Sequence, residues 1–136
     1  MSWRGWLVLG LVLCAGCAEP LPESAPPGAG AAAQDAILGE RAYMRCRACH
    51  SLGAGESHKV GPNLHGFMGR PAGTAEGYTY SEELVAAGLN WDAGTLAAWI
   101  TDPAFTVPGT TMVYPNDLAG AEMVALIAYL EAETSN

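Results

Sequence analysis

Cys46 and Cys49 stand three residues apart and His50 follows directly, in the run Cys46-Arg47-Ala48-Cys49-His50. Thiols at that spacing on one helical turn project the same way, so each can form a thioether with one vinyl group of a single haem. The next residue then presents its imidazole to the iron. Cys-x-x-Cys has two other uses: a redox dithiol, which wants a βαβ setting, and half of a zinc site, which wants two further ligands. His58 and His65 carry suitable nitrogens but do not stand at ligand spacing. Covalent attachment of a c-type haem is the chemistry this pentapeptide supports best.

An iron held by His50 has a second axial position, for which the chain offers Met44, Met68, Met112, Met123, His58 and His65. Met44 is too close to the attachment turn to reach across the iron. Met123 falls in register with Ile127 and Leu130, where a methionine is more often core than ligand. Met112 sits in Thr106-Val-Pro-Gly-Thr-Thr-Met112, a proline-stiffened stretch with no apolar stripe to join. It leads on the residues alone, with the others left open.

These residues must be positioned by elements that read as short helices. Asp35 can cap one reaching Arg45, with Ile37, Leu38, Ala42 and Tyr43 on one side. From Ser51 to Tyr80 the chain is Gly-rich and aperiodic, and a loop that long suits an ordinary domain only if it wraps around something. Ser81 caps a short helix carrying Glu82 and Glu83 in its first turn, with Gly88 past its end. Asp92 caps another through Leu96, Trp99 and Ile100, stopped by Asp102-Pro103. Residues 103–116 read as loop, and Asn116 or Asp117 caps a last helix built on Met123, Leu126, Ile127 and Leu130. No stretch alternates long enough to be a strand. The fold class expected is all-α.

Ahead of these elements, Met1-Ser-Trp-Arg-Gly carries one positive side chain and precedes an apolar run of 13 residues, Trp6 to Ala18. As a helix it reaches only about 20 Å, short of the ~30 Å hydrocarbon core, so it reads as a secretory leader over residues 1–18. Leu13-Cys14-Ala15-Gly16-Cys17 resembles a bacterial lipobox, which points to lipidation of Cys17, with plain cleavage after Ala18 as the competitor. Residues 19–34, rich in Pro, Ala and Gly, read as a flexible tether. Residues 35–136 form the folded domain. The protein is expected to be periplasmic and held to a membrane only through that lipid.

Composition narrows the partners. The 136 residues hold six Lys+Arg against fourteen Asp+Glu, a formal net charge of −8, which gives no long-range attraction for nucleic acid or an anionic membrane surface. All six basic residues lie in residues 1–70, while residues 71–136 hold nine acids. Only two Phe are available for a core. Something else must fill much of the interior.

Eight stretches carry a more specific likeness: Gly39-Glu40, Cys46 to His50, Gly61-Pro-Asn-Leu-His-Gly66, Gly77-Tyr-Thr-Tyr80, Asn90-Trp91, Asp102-Pro103, Pro108-Gly-Thr-Thr-Met112 and Leu126-Ile-Ala-Tyr-Leu130. In that order and spacing, residues 36–133 resemble a class I cytochrome c of the mitochondrial and alphaproteobacterial kind. The resemblance implies one covalent haem c on Cys46 and Cys49, with His50 and Met112 as axial iron ligands. It implies that the Pro62 carbonyl accepts the free ring N–H of His50, and that Arg70, Tyr80 and Trp91 bind the haem propionates, with Thr110 as a further contact. Gly39 and Tyr43 match first-helix positions that cross the last helix at Leu126 and Tyr129. Trp99 stands where mitochondrial members usually place a tyrosine near the methionine sulfur; its indole keeps a donor N–H on a larger body, and the bond to sulfur stays open.

The function implied is that of a monohaem one-electron carrier, not an enzyme, serving membrane-associated donor and acceptor redox proteins of a bacterial respiratory or photosynthetic chain. A monomer is expected. The lysine ring of mitochondrial members is missing, because only Arg45, Arg47, Lys59 and Arg70 are available for one rim, so the partner expected has a neutral or basic face. The alternatives are a haem enzyme or a gas or peroxide sensor with a labile Met112, and a fixed haem subunit of a larger assembly.

Overall fold

The computed structural model describes Met1 and residues 28–114, 117–118 and 120–135. The rest of the leader, Cys17 and residues 19–27 of the tether lie outside the described residues. Among the described residues five helices follow in order: α1 (Ala29–Tyr43), α2 (Glu82–Ala86), α3 (Ala93–Thr101), α4 (Pro103–Thr106) and α5 (Ala121–Glu133). Among the described residues the only β pairing is an isolated antiparallel bridge between Pro71 and Asn90. The all-α expectation is met.

Three boundaries differ from those the sequence suggested. The first helix starts at Ala29 rather than at Asp35, so residues 29–34 belong to it and not to the tether. The last proline of the tether is Pro27, and beyond it an alanine run with high helix propensity has nothing to break it. Asp102 does more than end α3. Its side chain accepts from the Phe105 amide and Pro103 takes the first turn, which gives the short α4 where loop was expected. At the far end, α5 begins after Gly120 and not at Asn116 or Asp117. Asp117 is instead held 3.5 Å from Arg45, and Leu118 is buried, so the chain is still crossing the core at that point. Ser81 and Asp92 cap α2 and α3 as anticipated, accepting from the Leu84 and Thr95 amides.

The core is assembled by the crossing of α1 and α5. A Cβ on Gly39 would lie 2.3 Å from the Ala125 carbonyl oxygen and 2.6 Å from Tyr129 Cβ, so only glycine permits this approach. Tyr43 and Tyr129 stack beside the crossing, with ring centroids 5.7 Å apart. Leu126 is fully buried there, and Leu130, Ile127, Phe67, Leu96, Trp99 and Ile100 join one apolar cluster with it. Met123 packs against this cluster, the core role its register predicted.

The segment from Ser51 to Tyr80 contains no helix, so its backbone groups find partners elsewhere. Asn63 is its main brace: its amide nitrogen donates to the carbonyls of Gly53 and Glu56, both at 2.8 Å, while its side-chain oxygen accepts from the His65 amide. His58 accepts from the Asn63 amide at Nδ1, which leaves Nε2–H to donate to the Glu76 carbonyl at 2.8 Å. Gly66 N–H donates to the Thr134 carbonyl at 2.8 Å, tying the loop to the end of α5. Ala72 N–H reaches the Leu89 carbonyl, also at 2.8 Å.

Candidate haem site

The attachment turn continues α1 without a break. The Cys46 and Arg47 amides donate to the Tyr43 carbonyl, and the Cys49 and His50 amides to the Cys46 carbonyl, at 2.7 to 3.0 Å. Neither Cys46 nor Cys49 is in a disulfide, and both are half-buried. Burial pushes the Cys46 thiol up to about 11, against a smaller opposing pull from Arg45.

His50 is fixed from several sides. Its Nδ1 lies 2.8 Å from the Pro62 carbonyl, which can only accept, so Nδ1 carries the proton and Nε2 keeps its lone pair. Burial holds the imidazole below its ordinary pKa, with the Pro62 bond pulling the other way and the Lys59 ammonium adding to the lowering. The ring is therefore neutral, the form that ligates metal. Gly61 lies flat against it: a Cβ at that position would fall 2.3 Å from His50 Cε1.

The loop between α4 and α5 brings Met112 to the same cavity. Trp99, from α3, donates its indole N–H to Met112 Sδ at 2.9 Å, so the larger indole keeps the bond to sulfur that its size had put in question. Thr110 accepts from the Met112 amide at 3.4 Å through its hydroxyl, and its own amide bonds the Val107 carbonyl. Trp91 stands edge-on to Trp99, with centroids 5.5 Å apart.

Cys46, Cys49, His50, Pro62, Arg70, Tyr80, Trp91, Trp99, Thr110 and Met112 all line one cavity of about 410 Å³. Leu64, Phe67, Leu84, Leu96, Ile100 and Leu130 supply its apolar wall, and among the described residues no carboxylate lines it. Arg70 Nε is buried without a protein partner among them. Tyr80 accepts from the Ala75 amide at 3.3 Å, and burial raises its phenol above its ordinary pKa, so its proton stays available to donate. Two half-buried thiols, a neutral imidazole of fixed tautomer, an oriented thioether and an unanswered guanidinium N–H are the donor set a haem with carboxylate side chains requires. The residues present fit that group.

The family model for cytochrome c matches residues 36–133. The chain belongs to the cytochrome c family. Among relatives, the cytochrome c2 of Blastochloris viridis is 38% identical over 92% of this chain and 91% of its own. The cytochrome c2 of Rhodoblastus acidophilus is 41% identical over 72% of this chain and 92% of its own. Among solved structures, cytochrome cH from Methylobacterium extorquens superimposes with a TM-score of 0.65 at 42% identity, covering 72% of this chain and 98% of that one. As a class I c-type cytochrome, the chain carries one covalently attached haem c, and Cys46, Cys49 and His50 are its attachment motif.

Two residues of this cytochrome were not singled out from the sequence. Tyr114 lines the cavity with a buried hydroxyl that has no protein partner among the described residues. Its only signal was its place two residues after Met112 in the same loop. Lys59 was counted only as a rim charge. It donates to the Arg47 and His50 carbonyls at 2.8 and 3.1 Å, contacts made across 12 and 9 residues that no local pattern encodes.

Proposed function

We propose that this cytochrome is a one-electron carrier with His50 and Met112 as its two axial iron ligands. The observation that carries the reading is the pairing of ligand and brace. His50 is aimed by the Pro62 carbonyl and Met112 by the Trp99 indole, and both ligands line one cavity. Haem c bound there supplies a single iron that changes its charge state by one electron. Cys46 and Cys49 hold the macrocycle covalently. Arg70, Tyr80 and Trp91, with Thr110, offer guanidinium, phenol, indole and hydroxyl groups to the two propionates. The Trp99 N–H withdraws density from the Met112 sulfur, and the leucine-rich wall excludes water; both favour the less charged ferrous state. With two protein ligands in place, no position remains for a small molecule.

Redox partners on a membrane would suit a chain whose leader ends at a lipobox-like Cys17. Among the described residues no helix is long and apolar enough to cross a membrane. We infer a periplasmic protein anchored by a lipid on Cys17, a reading that fails if Cys17→Ser partitions with membranes as the wild type does. Exposed Val60 and Val113 flank the cavity, and Arg45 and Arg70 are its only charged lining among the described residues, so the docking face is mostly apolar. A net charge of −8 then selects a partner with a neutral or basic face. Reduction by a basic partner should slow as salt rises.

The deciding experiment is a spectrum of the oxidised holoprotein. A sulfur-to-iron charge-transfer band, lost in Met112→Ala together with a gain of carbon monoxide binding by the reduced form, is the expected result. A wild type that lacks the band and binds carbon monoxide at neutral pH would instead be a haem enzyme or gas sensor.

A further inference from the structure

We propose that Lys59 is a positioning residue for His50, clamping the carbonyl side of the attachment turn. The inference rests on the reading of His50 as an iron ligand and adds a part to it. The turn ends with carbonyl groups that no following helix satisfies, and these carry the partial negative charge of a helix C-terminus. Lys59 Nζ donates to two of them, Arg47 O at 2.8 Å and His50 O at 3.1 Å. Tyr43 donates its hydroxyl to the same His50 carbonyl at 3.0 Å.

The lysine does not act alone. Its backbone N–H bonds the Gly61 carbonyl at 2.9 Å, and Gly61 N–H bonds the Cys49 carbonyl at 2.8 Å. Residues 59–62 therefore form one brace that grips His50 in three ways. Lys59 donates to the backbone carbonyl, Gly61 lies against the ring face and the Pro62 carbonyl accepts from Nδ1–H. A ligand held at both its backbone and its ring cannot swing without breaking the brace.

The clamp bears on both the iron and the rim. The ammonium is a fixed positive charge next to the ligand, which disfavours the more highly charged ferric state. A lysine committed to two carbonyls is also not free to pair with a partner's carboxylates, and Arg45 is similarly engaged by Asp117 at 3.5 Å. The rim is thus less cationic than its residue count implies.

The test compares Lys59→Met and Lys59→Arg with the wild-type holoprotein, reading amide hydrogen exchange at Cys49 and His50 and the reduction potential. In Lys59→Met, exchange at those two amides should quicken about tenfold, since the closing interaction is a charge-assisted hydrogen bond. The ferric form should gain about threefold, or about 28 mV at 59 mV per tenfold for one electron. Lys59→Arg should restore most of both, and Tyr43→Phe should quicken exchange at the same amides while leaving the potential nearly unchanged. If Lys59→Met yields no holoprotein, the Arg and Tyr43→Phe variants carry the measurement. Unchanged exchange overturns the proposal, whether the potential stays put or shifts only at low salt as a plain surface charge would make it. A wild type lacking the sulfur-to-iron band would remove the Met112 assignment and leave the exchange result to decide the clamp.

Discussion

Substituting the two glycines of α1 separately should be costly at one and harmless at the other. At Gly39 the new methyl group would meet the Ala125 carbonyl oxygen at 2.3 Å and Tyr129 Cβ at 2.6 Å. Neither neighbour can rotate aside, because one is helix backbone and the other is attached directly to it, so α5 must move. Gly→Ala in a helix gains about 1 kcal/mol of propensity. Overpacking of this kind costs roughly 1–3 kcal/mol, and with backbone forced to shift the upper end applies, which leaves a net loss of about 2 kcal/mol. For a domain of this size that is a fall in Tm of about 8–16 °C. A methyl group on Gly30 would have nothing within 4 Å, and this residue lies near the exposed start of the helix, so Gly30→Ala should be neutral or slightly stabilising. Thermal unfolding of both holoproteins, followed by far-UV circular dichroism, makes the comparison. A Gly39→Ala protein as stable as wild type would refute the close-crossing argument, and so would an equal loss in Gly30→Ala.

Replacing Trp99 by Phe removes the donor on Met112 Sδ while keeping an aromatic body. The oxidised state should gain up to about tenfold, a fall of up to about 59 mV in potential, and a potential within a few millivolts of wild type would show that the indole bond is irrelevant to the iron. Asp92 has its carboxyl held below the ordinary Asp range, chiefly by the Thr95 amide it caps. A depressed folded pKa contributes stability that is present above the unfolded value of about 3.9 and lost as pH falls through the lower folded value. Asp92→Asn keeps a capping oxygen, so its acid-unfolding curve should be flatter than that of wild type below pH about 4; identical slopes would count against the cap as the titrating group.

Much of the site was legible because its chemistry is local. Cys46, Cys49 and His50 fall within one turn, and Met112 stood out as an apolar residue in a segment with no stripe to join. Ser81 and Asp92 were legible as caps for the same reason, since a cap acts over three residues. The start of α1 was not, because alanine-rich chain next to prolines has the composition of a tether, while alanine itself favours helix once the prolines end. The start of α5 was hidden by a longer-range contact, the Arg45 pairing that draws Asp117 away from a capping role. Lys59 and Tyr114 depend on the path of loops through space, which periodicity cannot follow.

The bond from Gly66 to Thr134 joins residues 68 positions apart, and the α1–α5 crossing spans still more of the chain. The wall of the cavity therefore cannot close until almost the last part of the domain is available. Contacts of such long range carry a large loop-closure cost and slow folding. During synthesis the Cys46 and Cys49 thiols precede the helix that will cover them, so the order of the chain leaves a period in which a haem can be delivered and joined. A rearrangement of the same helices that placed α5 before the attachment motif would keep the final packing and shorten that period. The order of the parts along the chain thus leaves room for a modification made before the last helix closes over the site.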